Sequence, residues 1–169
     1  MSSFSVLLPR LVEAPARQLL GCSLVMSRAA DQTALLWRTF MPLRREIPPP
    51  ASPDLFSVTE YPPDYFAVYD GHAEFRKWAA VAAVGAAPVP LNMALLMIPA
   101  GLYAVFDYRG SSLDARVFQY ILSEWLPASG FALDDRPHLE ILGAGYRNAD
   151  PTSEEEIWIP VRPRQAPGH

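Results

Sequence analysis

Three consecutive carboxylates, Glu154, Glu155 and Glu156, run into the apolar stretch Ile157-Trp158-Ile159-Pro160-Val161. In an extended chain successive side chains point to opposite faces, so Glu156 and Trp158 share one face while Glu155, Ile157 and Ile159 share the other. The isoleucine face belongs in a core, which leaves Glu156 and Trp158 facing an open groove. A carboxylate beside an indole plane suits a lipophilic cation, because charge pairing adds to a cation–π attraction of roughly 0.5–2 kcal/mol. Glu156 is the leading candidate ligand contact, ahead of Glu154, with Glu155 turned toward the core.

Other aromatic side chains could line the same groove. Trp78 opens a strand-like segment, Trp37 sits between the faces of a helical pattern, and Tyr69, Tyr103, Phe106, Tyr108 and Tyr146 lie in or near strands. A tyrosine can stack with its ring and orient a polar ligand atom with its hydroxyl. Trp125 falls on an apolar helical stripe and reads as core.

Signals for catalysis are thin. His72, His138 and His169 are scattered, no pair has metal-ligand spacing, and no Ser–His–Asp order stands out. Gly143-Ala144-Gly145 is too short for a phosphate-binding loop. The one workable scheme would have Glu156, desolvated in an apolar groove and therefore basic, act on water beside a tyrosine. No metal or cofactor is expected, and the single Cys22, inside the apolar run Leu19 to Met26, reads as a buried inert thiol.

The elements that must position these residues follow from periodicity and from punctuation by proline. Helical spacing predicts one helix over Asp31 to Arg45, capped by Asp31, with Leu35, Leu36, Phe40 and Leu43 inward and Arg44-Arg45 at its C-terminal end. It predicts a second over Ser112 to Leu126, with Leu113, Val117, Tyr120, Ile121 and Trp125 as its stripe and Pro127 as its stop. Strands are expected at Leu19 to Met26, Leu55 to Tyr61, Phe66 to Tyr69, Trp78 to Val84, Gly101 to Tyr108, Pro137 to Leu142 and Glu155 to Val161. The Ala-rich stretch Ala79 to Ala87 is also compatible with a helix.

These elements make an α+β chain in which each half carries one helix and several strands. The halves run to about residues 90 and 162, followed by a tail over 163–169, all within one domain. One helix covers only one face of a sheet, so a groove shared by the two halves is the natural ligand site. The halves share pattern, not residue identity. The net charge of −4 and the pI of about 5.3 disfavour direct contact with nucleic acid, and no helix-turn-helix-sized segment remains once the strands are placed. No signal-peptide order and no apolar run near membrane-spanning length is present, so we expect a cytoplasmic chain that does not engage a membrane. Oligomeric state leaves no mark in the sequence.

The motifs form a familiar ordered set. Ile98-Pro99-Ala100-Gly101-Leu102-Tyr103-Ala104-Val105-Phe106 is followed by Trp125-Leu126-Pro127-Ala128-Ser129-Gly130-Phe131, by Pro137-His138-Leu139-Glu140, and by Glu156-Ile157-Trp158-Ile159-Pro160-Val161. Leu19-Leu20-Gly21, Leu36-Trp37-Arg38-Thr39-Phe40, Phe56-Ser57-Val58 and Tyr61 supply a matching first half. The set resembles the gyrase-inhibitor-like (GyrI-like), or AraC-type effector-binding, domain family, over about Arg10 to Val161. The resemblance implies two strand–helix–strand–strand (SHS2) units related by a pseudo-two-fold, antiparallel sheets, and a central ligand cleft whose acid lies in the last strand, where Glu156 fits. It implies a standalone, bacterial, multidrug-type binding module for small aromatic or cationic molecules. Other branches of the family hydrolyse strained small molecules or protect gyrase, and these are the alternatives.

Overall fold

The computed structural model describes residues 7–49, 52–68, 70–85, 88–111 and 114–165. Its strands are β1 (Arg10–Ala14), β2 (Arg17–Ser27), β3 (Leu55–Glu60), β4 (Glu74–Ala82), β5 (Ala94–Ile98), β6 (Gly101–Arg109), β7 (Phe131–Leu133), β8 (His138–Leu142) and β9 (Glu154–Pro163). They pair antiparallel in the order β1-β6-β9-β8-β3-β4-β2-β5, with β7 added to the far end of β9. Helix α1 (Thr33–Leu43) follows β2. Helix α2 (Arg116–Tyr120) continues through a π-helical segment (Ile121–Trp125) into a last turn (Leu126–Ala128). The fold is α+β, as expected.

Two short links dictate the shape. Ala14 of β1 and Arg17 of β2 are separated by Pro15-Ala16, and Ile98 of β5 and Gly101 of β6 by Pro99-Ala100. Each link joins strands six places apart in the sheet order. In a flat sheet six places are about 29 Å, whereas two intervening residues reach only about 11 Å. The sheet must therefore curl until its two ends meet, with one face inside and the other outside.

Strand register assigns each side chain to a face. The inner face carries Leu19, Phe56, Val58, Trp78, Ala80, Leu96, Ile98, Tyr103, Val105, Leu139, Ile141 and Trp158, which pack as one buried cluster with no helix of the described residues in it. The outer face carries the helices. Leu36 and Phe40 of α1, one turn apart, seal Leu20, Cys22, Ala79 and Val81. Val117 and Ile121 seal Ala104, Phe106, Ile157 and Ile159.

Several boundaries differ from expectation for local reasons. Helix α1 starts two residues later than Asp31, whose carboxylate instead accepts the Thr33 amide at 2.8 Å. Leu35 points to solvent. Helix α2 starts at Arg116; Ser112 and Leu113 lie outside the described residues. Pro127 does not stop it, because the wider π-helical turn before the proline relieves the clash of its ring with the carbonyl four residues back. Phe66 to Val68 is not a strand: the Tyr65 amide bonds to the Pro62 carbonyl and that of Ala67 to Asp64, turning the chain so that Tyr61, Tyr65, Phe66 and Phe75 form an aromatic knot. The Ala-rich stretch is strand through Ala82. Strands β1, β5 and β7 are additional, and β5 holds the apolar run before Pro99. No helix among the described residues is long and apolar enough to cross a membrane.

The curl brings β2 and β4 unusually close at Gly21, where a Cβ would overlap the Ala79 carbonyl and crowd the Ala80 Cα and Cβ. Gly21→Ala is expected to destabilise the protein by about 2–3 kcal/mol, the upper part of the range for overpacking. A urea denaturation midpoint that does not move would contradict this.

Candidate ligand-binding site

Strand β9 sets Glu156 and Trp158 on the inner face and Glu155, Ile157 and Ile159 on the outer one, as the alternation demands. Glu156 is the more solvated of the two inward groups, its side chain 36% exposed. Its Oε2 accepts from Arg10 Nη2 at 2.7 Å and its Oε1 from the Trp158 indole N–H at 3.3 Å. Arg10 also donates to Asp107 at 3.0 Å. The general-base scheme expected Glu156 in apolar surroundings, but a guanidinium and an indole N–H surround it instead.

Where β9 begins, Glu156 forms the wall of a cleft of about 550 Å³, together with Asp54, Asp107, Tyr108, Glu154 and Glu155. The Tyr108 hydroxyl donates to the Ser111 carbonyl at 3.0 Å, and burial pushes its pKa up. Glu155 is the carboxyl with altered chemistry. Burial, and then the neighbouring Glu140 carboxyl, push its pKa far up, to about 9, against a weaker pull from Lys77. The proton-holding carboxyl of this region is therefore on the outer face, one residue from the expected one.

Of the remaining candidates, Trp78 shares the inner face with Trp158, and its indole N–H donates to Glu60 Oε2 at 2.8 Å. Trp37 and Phe106 are not in the groove. Trp37 packs edge-on against Phe40 under α1, and Phe106 against Trp125 under the second helix, both on the outer face. Tyr146 lies in the β8–β9 connection, its amide bonded to the Gly143 carbonyl, beside the cleft but not lining it. Tyr69 lies outside the described residues. Tyr103 meets the Trp158 ring edge-on as a groove candidate should, while Phe56, Arg10, Arg17 and Arg136, which carry no motif in the sequence, gather around Trp158, Glu156 and Tyr103. Among the described residues no group of His, Cys, Asp and Glu could hold a metal ion.

His138 is structural: the rings of Tyr61 and Phe66 flank it at 4.9 and 5.8 Å, and burial lowers its pKa to about 4. Two opposed pH dependences result. Glu155 binds its proton more tightly folded than unfolded, so its contribution is complete below 4.5 and is lost as pH rises toward 9. His138 contributes above 6.5 and loses that contribution as pH falls toward 4. Stability should be nearly level between 4.5 and 6.5 and then decline toward pH 9. Glu155→Gln should abolish the alkaline decline, as measured by chemical denaturation across pH; a decline that persists in the variant would refute the assignment.

Comparison with known proteins agrees with this architecture. Residues 8–162 match the family described as the GyrI-like small molecule binding domain. The transcriptional regulator BrlR of Pseudomonas aeruginosa is 28% identical over 155 residues, covering 90% of this chain and 54% of the regulator. The chain thus spans about half the length of that relative. In fold it is similar to SAV2435, solved bound to tetraphenylphosphonium, with a TM-score of 0.67 at 14% identity over 91% of this chain and 93% of that one. It is also similar to EcmrR in its complex with DNA, with a TM-score of 0.69 at 16% identity over 96% of this chain and 60% of that one. The inward Glu156–Trp158 pair of β9 and the helix-free inner face thus belong to a chain of the GyrI-like small molecule binding domain family.

Proposed function

We propose that this chain binds lipophilic aromatic cations, a multidrug-type ligand class, in the cleft at the start of β9, with Glu156 as charge partner. The observation that carries the reading is the composition of the cleft wall. Asp54, Asp107, Glu154, Glu155 and Glu156 line it, Glu155 with its proton held at neutral pH, and among the described residues Arg109 is the one basic residue lining it. A cleft of about 550 Å³ is within the range that encloses drug-sized molecules. Clustered carboxylates raise the local concentration of a cation and lower its energy once bound. The ring of Tyr108 supplies an aromatic wall, and Trp158, hydrogen-bonded to Glu156, reports on any change at the carboxylate. The complex of SAV2435 with tetraphenylphosphonium supports the same ligand class.

Arg10 holds the carboxylate that a cationic ligand would use, so it acts as an internal competitor. Titration with tetraphenylphosphonium, followed by tryptophan fluorescence and calorimetry, should show Glu156→Gln weakening binding about tenfold, or about 1.4 kcal/mol. Arg10→Gln should strengthen it. Affinity should fall with added salt, and should rise between pH 7 and pH 9 as Glu155 ionises. Equal affinity in wild type, Glu156→Gln and Arg10→Gln would sink the reading.

A further inference from the structure

The inner face has a second charge character, opposite to that of the cleft. Arg136, in the turn between β7 and β8, lies over the Tyr103 ring with its Cζ at 4.6 Å from the ring centroid. Its side chain is only 9% exposed. Nε donates to Asp134 at 2.7 Å, and Nη2 donates to the Leu102 carbonyl at 2.6 Å and to that of Val161 at 3.3 Å. Nη1 is buried and has no acceptor among the described residues. The Tyr103 hydroxyl is likewise buried, with Arg136 as its polar neighbour and no acceptor for its proton among the described residues. Space for the guanidinium is built into β6: a Cβ on Gly101 would stand 2.5 Å from Arg136 Cζ and Nη1.

Arg17 completes the arrangement from the opposite side of the curl. It lies at the start of β2, half-buried, with its guanidinium 5.0 Å from the Trp158 ring centroid and 5.6 Å from that of Phe56. Among the described residues no carboxylate pairs with it. The nearby acids are engaged elsewhere: Glu156 and Asp107 with Arg10, Glu60 with Trp78, and Asp134 with Arg136 Nε. The Trp158 ring beneath Arg17 stands 5.4 Å from the Tyr103 ring beneath Arg136, so adjoining aromatic rings carry the two guanidinium groups.

We propose that Arg17, Arg136 and Tyr103 form an anion site on the inner face that takes the carboxylate of a small aromatic acid. Charge-assisted hydrogen bonds from guanidinium to carboxylate are the strong ones, and a carboxylate offers two acceptor oxygens to the unmatched donors here. Three side-chain bonds fix Arg136, so it is the rigid half of the site. Arg17, half-exposed on a flexible stem beside the Pro15-Ala16 link, is the movable half. It swings off the rings as the ligand enters and closes over the carboxylate, while the aromatic body of the ligand takes its place against Trp158 and Phe56. This site adjoins the acidic cleft through the Trp158–Glu156 hydrogen bond but does not rest on the cation reading.

The test uses the full chain and a matched series: naphthoate, naphthalenemethanol and naphthylmethylammonium, titrated by calorimetry. Naphthoate should bind at least about tenfold tighter than the alcohol, and the ammonium should not compete with it for this site. Arg17→Gln should reduce the preference for acid over alcohol to less than about threefold. Gly101→Ala, which pushes Arg136 off its seat, should reduce it as well; where this variant folds poorly, Arg17→Gln, at a half-exposed position, carries the decision. Glu156→Gln should leave naphthoate affinity undiminished even as it weakens tetraphenylphosphonium, which separates this proposal from the cation reading. Naphthoate binding no tighter than the alcohol, or a preference that survives Arg17→Gln, overturns the assignment.

Discussion

Everything in this molecule depends on two proline-bearing links of two residues each. Pro15-Ala16 and Pro99-Ala100 connect strands that lie at opposite ends of the sheet order, and chain connectivity alone then forbids a flat sheet. A curled sheet has an inside that no helix needs to cover. That is why Trp78, Tyr103 and Trp158 can be buried on a face with no helical partner, and why both helices are free to pack outside. The prolines suit the positions, since each withdraws an N–H where a continuing strand would need one. Without the curl, Arg17 and Trp158, on strands four places apart, would be separated by about 19 Å instead of being in contact.

The curl also explains how neighbours in sequence come to have unlike chemistry. Glu155 and Glu156 differ by one position and therefore by one face. The outward Glu155 is enclosed beside Glu140, where two carboxyls cannot both ionise cheaply, and it keeps its proton. The inward Glu156 meets Arg10 and the Trp158 N–H at the rim of a solvent-open cleft. A raised carboxyl pKa here marks the outer, more enclosed side of the strand, not the side of Glu156 and Trp158.

This split sets what was legible in the sequence. Period-two alternation within β9 gave the faces of Glu156 and Trp158, because that argument needs only the strand itself. The same alternation in β6 separates Tyr103 from Phe106 and Tyr108, but which set meets Trp158 depends on register against β9, a non-local fact. Phe106 pairs opposite Ile157 and goes outward. Trp37 needed the face of α1 to be known, and that is decided by Leu36 and Phe40. Phe66 has strand-like composition, yet Pro62-Pro63 and the turn after them override it. Arg17 was within reach, since it shares parity with Leu19 and Gly21. Arg136 was not, because its role comes from a turn folded over Tyr103.

Glu156 and Trp158 of β9 are each met by an arginine from the first two strands. Arg10 holds the Glu156 carboxylate and Arg17 covers the Trp158 ring, on either side of the same Pro15-Ala16 link. The carboxylate thus has its cation and the indole its cation–π partner, so neither is left unsatisfied. At the proposed sites a ligand exchanges with one of these side chains, and its affinity is the difference between its own contact and the internal one it displaces. A cation at Glu156 displaces Arg10 and gains only that difference. An anion near Trp158 gains Arg17 as a partner while freeing the ring face for its own aromatic body. On this reading one short segment of chain sets the charge preference of both proposed sites.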